Sequence, residues 1–549
     1  MKKHLEGLLQ HAIETAVQGG VLKLDSLPPL FLEIPKDPQH GDLASTIALQ
    51  LARRARMPPH AIAKAIVDHL QDPEGVLAET SIAGPGYLNF RFSQRFWGRC
   101  LSEALQPDYG RPALGQGRRV LIEFVSANPT GPLTVGHGRN AVLGDAIARL
   151  LEAAGYRITR EYYFNNAGRQ MTLLGESVRA RYLELLDRPV PFPEEGYRGE
   201  YIVDIARGLH REHGDRLQNE PANGAFKDAA ERAIFANIEA TLTRIGIAFD
   251  TYFNEDSLYR GGQITAILDE LRRADLAFDH EGAVWLRGER LGLSKDRVLV
   301  KSSGEPAYRL PDIAYHNEKL GRGYDLIIDV LGADHIAEHE DVRSTLQALG
   351  LDVVKIKAVI YQFVTLTRGG VQVKMSTRRA EYVTVDELLD EVGRDVVRFF
   401  FLTRKADSHL EFDLDLAKKE SAENPVFYVQ YAHARICSMF RQATSEGVTV
   451  PAAVDAPLER LNSAEEQEVT KLLASYPDIV EDATRELEPH RIVFYLIELA
   501  GAFHRFYNRH RVLGVDADLS RARLVLVAAT QRVLQAGLNL VGVSAPESM

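Results

Sequence analysis

A short apolar strand, Val120-Leu121-Ile122-Glu123-Phe124-Val125, runs into a loop punctuated by proline and glycine, and that loop opens a helix. The loop reads Asn128-Pro-Thr-Gly-Pro-Leu-Thr-Val-Gly-His-Gly-Arg-Asn140. Beyond it Val142, Leu143, Ala146, Ile147, Leu150, Leu151 and Ala154 recur at helical spacing, and Gly155 ends the run. Residues Arg157–Tyr163 return as a strand. This βαβ unit predicts a Rossmann-type, doubly wound parallel sheet.

The chain has 549 residues, too many for one hydrophobic core, and the sequence divides into three expected units. Residues 1–108 read as an N-terminal α+β domain, with helices over Leu43–Arg56 and after Pro58-Pro59, and a strand closing on Tyr87–Phe92. Residues 115–404 read as the Rossmann-type domain, carrying a charge-rich, largely helical insertion at about 165–300. Strands are expected again at Tyr324–Val330 and Val354–Leu366. Residues 405–549 read as a C-terminal all-α bundle. The whole is a multidomain α/β fold. The two cysteines, Cys100 and Cys437, lie far apart in apolar surroundings and read as core residues in a reducing compartment. No signal peptide and no membrane span stands out, so a cytoplasmic chain without membrane contact is expected. A net charge of −11 leaves only local basic faces for nucleic acid.

Two loops carry the chemistry. In the first, Gly136 and Gly138 let backbone approach a ligand, and His137 sits where a helix N-terminus favours phosphate. An imidazole there can donate to an α-phosphate oxygen as it gains charge. In the second, Lys374-Met375-Ser376-Thr377-Arg378 supplies cations and hydroxyls to hold β- and γ-phosphates. ATP with Mg²⁺ is the expected nucleotide, with no tightly bound protein metal site. Neither the dinucleotide fingerprint GxGxxG nor the P-loop GxxxxGK[ST] is present.

The Thr134-Val-Gly-His137 and Lys374-Met-Ser-Thr-Arg378 segments resemble the two signatures of class I aminoacyl-tRNA synthetases. The wider match is to arginyl-tRNA synthetases of bacterial type and extends over essentially the whole chain. It rests on Glu123-Phe-Val-Ser-Ala-Asn-Pro-Thr-Gly-Pro, Tyr308-Arg-Leu-Pro-Asp312, Gly332-Ala-Asp-His335 and Asn424-Pro-Val-Phe-Tyr-Val-Gln-Tyr-Ala-His-Ala-Arg435. The resemblance implies activation of L-arginine by ATP and transfer of the arginyl group to tRNA(Arg), with activation dependent on tRNA, by a monomer. It assigns Glu123, Asn128, Tyr308, Asp312 and His335 to arginine. It assigns Thr134, Gly136, His137, Gly138 and Lys374 to Thr377 to ATP, with Thr134, His137, Lys374 and Arg378 catalytic. Tyr87 and Asn89 fall where the family meets a D-loop base. The C-terminal aromatic and basic residues Tyr431, Arg435, Arg505 and Arg509 suit anticodon stacking and phosphate contact.

Two residues depart from the family pattern: Thr134 and Thr377 stand where it has cation-capable side chains. Arg139, Lys374, Arg378 and Mg²⁺ are the expected replacements. The competing readings are a small nucleotidyltransferase, a synthetase for another amino acid, and a tRNA-binding protein without catalysis. Paired acids at Glu123 and Asp312 favour arginine.

Overall fold

The strand–helix–strand unit forms as expected in a computed structural model, which describes residues 1–166, 168–373 and 383–549. Five parallel strands lie in the spatial order Ile356–Tyr361, Leu326–Gly332, Arg119–Glu123, Arg157–Phe164 and Thr251–Asn254. The chain reverses direction across the sheet beside Arg119–Glu123. That point, at the carboxyl ends of the strands, is where open α/β sheets leave a crevice for ligands. Val120, Leu121 and Ile122 are fully buried, which explains why this strand reads as an unbroken apolar run rather than an alternation. The Val135–Ala153 helix packs closely on it. A Cβ added at Gly144 would lie 2.3 Å from the Phe124 ring, so only glycine fits there.

The structure differs from the sequence reading at four places. Leu43–Ser45 is a strand, and the helix begins at Ile47, because Leu43, Ala44 and Ser45 pair with Phe90, Asn89 and Leu88. The insertion is not wholly helical: Thr251–Asn254 completes the parallel sheet, and Ala277–His280, Ala283–Leu286 and Arg297–Val300 form an antiparallel sheet of their own. The expected Val354–Leu366 strand splits into Ile356–Tyr361 and Val364–Arg368, which belong to different sheets. Beyond residue 405 a further strand, Leu410–Asp413, runs parallel to Val364–Arg368 before the helices begin. Each missed strand has only a few residues, and its partner rather than its own periodicity decides it.

The long C-terminal helices are Pro425–Ser445, Ala464–Glu486, His490–Arg509 and Ala517–Leu540. The N-terminal unit docks on the second of them. Lys471 reaches Asp42 at 2.6 Å, Lys3 reaches Glu481 at 2.5 Å, and the Tyr109 hydroxyl donates to the Leu473 carbonyl at 2.7 Å. Arg398, fully buried, ties the Rossmann-type region to the C-terminal end. Its guanidinium donates to Asp145 (2.6 Å) and to the carbonyls of Val541 (3.0 Å) and Ile245 (3.3 Å). No helix among the described residues is long and apolar enough to cross a membrane.

Removing the Arg398 guanidinium would leave the Val541 and Ile245 carbonyls without its donors and take one of three cations from the buried Asp145. Arg398→Met is therefore expected to lower stability by about 2–4 kcal/mol, read as a shift in urea midpoint. Adding Asp145→Asn should not recover that loss, since Asp145 keeps Arg149 at 2.6 Å and Arg160 at 3.5 Å and is not orphaned. A single variant as stable as the parent would contradict this role.

Candidate active site

The loop after Glu123 is strained and tightly held. Val125 and Ser126 adopt φ values of 68° and 42°, a left-handed backbone that a β-branched residue rarely takes. Side chains from three directions hold it there. Asn140 Oδ1 accepts from the Val125 N–H at 2.7 Å, while Asn140 Nδ2 donates to the Val330 carbonyl at 2.9 Å. The Ser126 hydroxyl donates to Glu123 Oε1 (2.8 Å) and accepts from the Tyr163 N–H (3.1 Å). The Tyr162 hydroxyl donates to the Ala127 carbonyl at 2.9 Å. Strain fixed by this many partners marks a loop shaped for a ligand.

Thr134 is the N-cap of the Val135–Ala153 helix, and His137 is its third residue. The Thr134 N–H donates to His137 Nδ1 at 3.2 Å. Since Nδ1 accepts, the ring proton resides on Nε2, and no described residue takes a hydrogen bond from it. Burial holds His137 down to about 4, so the ring is neutral at neutral pH. His137 thus closes the capping box through Nδ1 and keeps Nε2–H free of any described partner. Threonine is a favoured N-cap, which gives Thr134 a structural reason to be there.

Arg139 does not serve as a spare phosphate cation. It is buried and donates to the carbonyls of Gln362 (2.5 Å) and Lys405 (3.0 Å). Gly138 also has a packing reason. A Cβ there would meet Val385 at 2.9 Å and Phe401 at 3.1 Å, whereas at Gly136 the nearest atom is Thr134 Oγ1 at 3.9 Å. Gly136 alone leaves room for a ligand. Lys374, Met375, Ser376, Thr377 and Arg378 lie outside the described residues. Their C-terminal flank is joined to the first loop: the Val385 N–H donates to the Leu133 carbonyl at 2.8 Å, and Thr384 bridges Thr134. Thr384 and Glu387 form a capping box.

Beside the loop is a cluster of acidic side chains. The Arg309–Gly321 helix begins at Tyr308, which is 69% exposed at the rim, and carries Asp312 one turn in. No described residue donates a hydrogen bond or forms an ion pair with the Asp312 carboxyl. Burial pushes its pKa up to about 7; the neighbouring charges of Glu338, Glu255 and Glu123 push the same way, and His316 pushes against them. Glu255, buried, accepts from the Tyr163 hydroxyl at 2.7 Å and is itself raised by burial. Glu123 is occupied: Oε2 accepts from the Lys319 ammonium and Oε1 from Ser126. Three acids thus surround an unpaired one. Such a site is electrostatically incomplete without a cation.

The remaining expected residues lie at the edge. Asn128 is exposed and donates to Gln170 Oε1 at 3.0 Å. His335 is exposed and sits 3.7 Å from Asp334 and 4.0 Å from Glu338. Sequence reading missed Glu255, Glu338, Tyr163 and Lys319. Glu255 and Glu338 sit among many other charged residues, with no pattern to single them out.

In the N-terminal sheet Tyr87 is exposed but Asn89 is covered, at 6% exposure, because Ser81 and Ala44 flank it in the sheet. Asn89 is therefore not a surface reader in this conformation. In the bundle the Arg435 guanidinium lies 4.5 Å from the centroids of both Tyr431 and Tyr507 and donates to the Tyr431 hydroxyl at 3.0 Å. Tyr507 was not foreseen. Arg505 pairs with Glu468 at 2.5 Å and Arg509 with Glu465, so both are balanced at the surface.

A carboxyl whose folded pKa is raised to about 7 from 3.8 favours the protonated fold, and its contribution is lost as pH rises through that interval. Asp312→Asn is therefore expected to increase resistance to urea by on the order of 1 kcal/mol, more at pH 8 than at pH 5. A destabilised variant, or a gain independent of pH, would contradict the unpaired-acid description.

Three family models match in succession. They are "Arginyl tRNA synthetase N terminal domain" over residues 3–92, "tRNA synthetases class I (R), catalytic domain" over 101–400, and "DALR anticodon binding domain" over 429–549. An arginine–tRNA ligase of Desulfotalea psychrophila is 50% identical over 552 aligned residues, covering 100% of both chains. That of Chlorobium phaeovibrioides is 46% identical, also over 100% of both. Among solved structures, a chain described as a putative arginyl-tRNA synthetase from Campylobacter jejuni superposes with a TM-score of 0.77 at 33% identity, covering 83% of this chain and all of the other. The Thermus thermophilus arginyl-tRNA synthetase gives 0.77 at 25% identity, covering 99% and 100%. With full-length relatives at this identity, the chain belongs to the arginyl-tRNA synthetase family.

Proposed function

We propose that the chain is an arginine–tRNA ligase whose specificity rests on the acidic cluster around Asp312. The arginine carboxylate attacks the α-phosphorus of ATP, forming arginyl-adenylate as pyrophosphate leaves. A ribose hydroxyl of the tRNA 3′-terminal adenosine then attacks the activated carbonyl, and AMP departs. The observation that carries the reading is the unpaired Asp312 carboxyl among Glu123, Glu255 and Glu338. A guanidinium brings one positive charge and five N–H donors, and so answers both the charge and the missing hydrogen bonds.

Roles follow from placement. Asp312 and Glu255 take the guanidinium, with Tyr308 closing the rim. Asn128, Glu123 and His335 belong to the end of the substrate nearer the reaction. His137 donates from Nε2 to the α-phosphate. A neutral donor stabilises the developing charge without holding the ground-state triphosphate as tightly as a cation would. Gly136 admits the nucleotide. Lys374, Met375, Ser376, Thr377 and Arg378 hold the β- and γ-phosphates, and Mg²⁺ arrives with ATP as part of the substrate rather than as a resident ion.

The unit boundaries proposed from sequence, 1–108, 115–404 and 405–549, divide these labours. Tyr87 offers an exposed ring to a D-loop base, and Asn89, on an inner strand, joins it only if the sheet rearranges on binding. Tyr431, Arg435 and Tyr507 offer a stacking platform to the anticodon, and Arg505 and Arg509 exchange their glutamates for phosphates. A cytoplasmic monomer completes the reading.

The test is arginine-dependent exchange between ATP and pyrophosphate, expected with tRNA(Arg) present and nearly absent without it. Exchange driven by another amino acid would overturn the specificity. His137→Ala is expected to lower kcat by about 10²–10³-fold while the arginine KM stays within a few-fold. An unchanged kcat would remove His137 from the chemistry.

A further inference from the structure

The register of the parallel sheet sets Asp329 opposite Glu123 and Glu123 opposite Glu161, one acid on each of three neighbouring strands. Adjacent strands are about 5 Å apart, so these carboxylates would repel strongly if nothing balanced them. The Arg309–Gly321 helix brings what balances them. Arg322, just past its end, pairs with Glu161, which also accepts from the Tyr315 hydroxyl at 2.7 Å. Glu123 and Asp329 share one cation. The Lys319 ammonium, fully buried, donates to Glu123 Oε2 and to Asp329 Oδ1, the latter at 2.8 Å.

The other oxygen of Asp329 faces His316 Nε2 at 3.2 Å and His339 Nε2 at 3.1 Å. These three side chains have the residue types of a metal site, but the neighbouring cation is already Lys319. Nζ also lies 4.2 Å from the Tyr315 ring centroid. Lys319 follows Asp312 by seven residues, two helical turns, on the same side of the helix.

We propose that Lys319 is a positioning residue for arginine recognition, a built-in cation that fixes the Glu123 carboxylate and pins the Asp312-bearing helix to the sheet. The inference rests on the arginine reading of the acidic cluster. A guanidinium is planar and rigid, so Asp312, which meets it, and Glu123, at the other end of the substrate, must both be held to within about 0.5 Å. Lys319 supplies that precision from behind without touching substrate. It also sets the charge count: two carboxylates and one ammonium leave a single negative charge.

Without the ammonium, Glu123 and Asp329 would be left to share a proton, as buried carboxyl pairs do. The groups facing that pair are Ser126 and Glu161 on the sheet side, Asp312, Tyr315 and His316 on the helix itself, and His339 on the Ile336–Ala348 helix.

The experiment uses full-length protein with tRNA(Arg) and compares the parent, Lys319→Met, and the double variant Lys319→Met with Asp329→Asn. Arginine-dependent exchange is measured between pH 6 and 9. Lys319→Met is expected to raise the arginine KM by about tenfold or more while the ATP KM stays within about twofold. Its kcat/KM profile for arginine should gain an ionisation that the parent lacks. The double variant restores the single negative charge, so it should return the profile to the parental shape and recover most of the affinity. Arginine and ATP KM rising together, or an unaltered pH profile in Lys319→Met, would overturn the proposal. Should Lys319→Met prove too unstable to purify, a double variant with parental affinity and profile supports the charge count, and one impaired equally toward both substrates contradicts it. Failure of arginine-dependent exchange in the parent is a different result and would sink the functional reading itself.

Discussion

A buried ammonium, Lys319, lies between two carboxylates of the parallel sheet, and in the proposed reading the placement of the arginine-binding acids depends on it. Lys319 joins Glu123 on one parallel strand to Asp329 on the next, and it does so from the helix that presents Asp312. Strand register makes the bridge necessary, because it aligns acids that cannot remain together unbalanced. The same bridge sets the height and rotation of the helix over the sheet. Strained loop, capped histidine and acidic cluster are all attached to this frame.

Recognition then follows from an imbalance kept beside the balanced centre. Glu123, Asp329 and Glu161 each have a cation, whereas Asp312 has none among the described residues. In the proposed reading, the protein bears an unpaired acid at a cost to its own stability, and the substrate's charge relieves that cost on binding. His137 shows the complementary economy. One ring nitrogen closes the helix cap, which fixes the tautomer and leaves the other nitrogen as a donor. A threonine at the preceding cap position is consistent with this division of work, because the cap needs a side chain of good N-capping type and no charge.

Much of this was legible in the sequence for identifiable reasons. The first strand is buried on both faces and its helix is long, so hydrophobic pattern alone placed the sheet. The long C-terminal helices were placed for the same reason. Glu123 stood out as an acid within an apolar strand, and Asp312 through its resemblance to a family motif. What stayed hidden depends on partners remote in sequence. Thr251–Asn254 has four residues and becomes a strand by pairing with Glu161–Phe164. Lys319 reads as a helical surface lysine until register brings Glu123 and Asp329 beneath it. Arg139 was expected to face phosphate, yet it spends its donors on two carbonyls. Gly138 was expected to face a ligand, yet it makes room for Val385 and Phe401. Local pattern finds elements and conspicuous residues, while long-range pairing decides which residues are occupied and which are free.

The central claim is that an unpaired, proton-holding Asp312 is what arginine's guanidinium meets. Calorimetric titration of the protein with arginine at pH 6.5, in two buffers of different ionisation enthalpy, tests this directly. With Asp312 raised to about 7, most of the carboxyl is protonated at that pH, and binding a cation should expel the proton. The expected result is release of about three-quarters of a proton per arginine bound, falling toward zero at pH 8.5, with citrulline, the uncharged isostere, binding far more weakly and releasing none. Arginine binding without proton release at pH 6.5, or citrulline binding as tightly as arginine, would contradict the account.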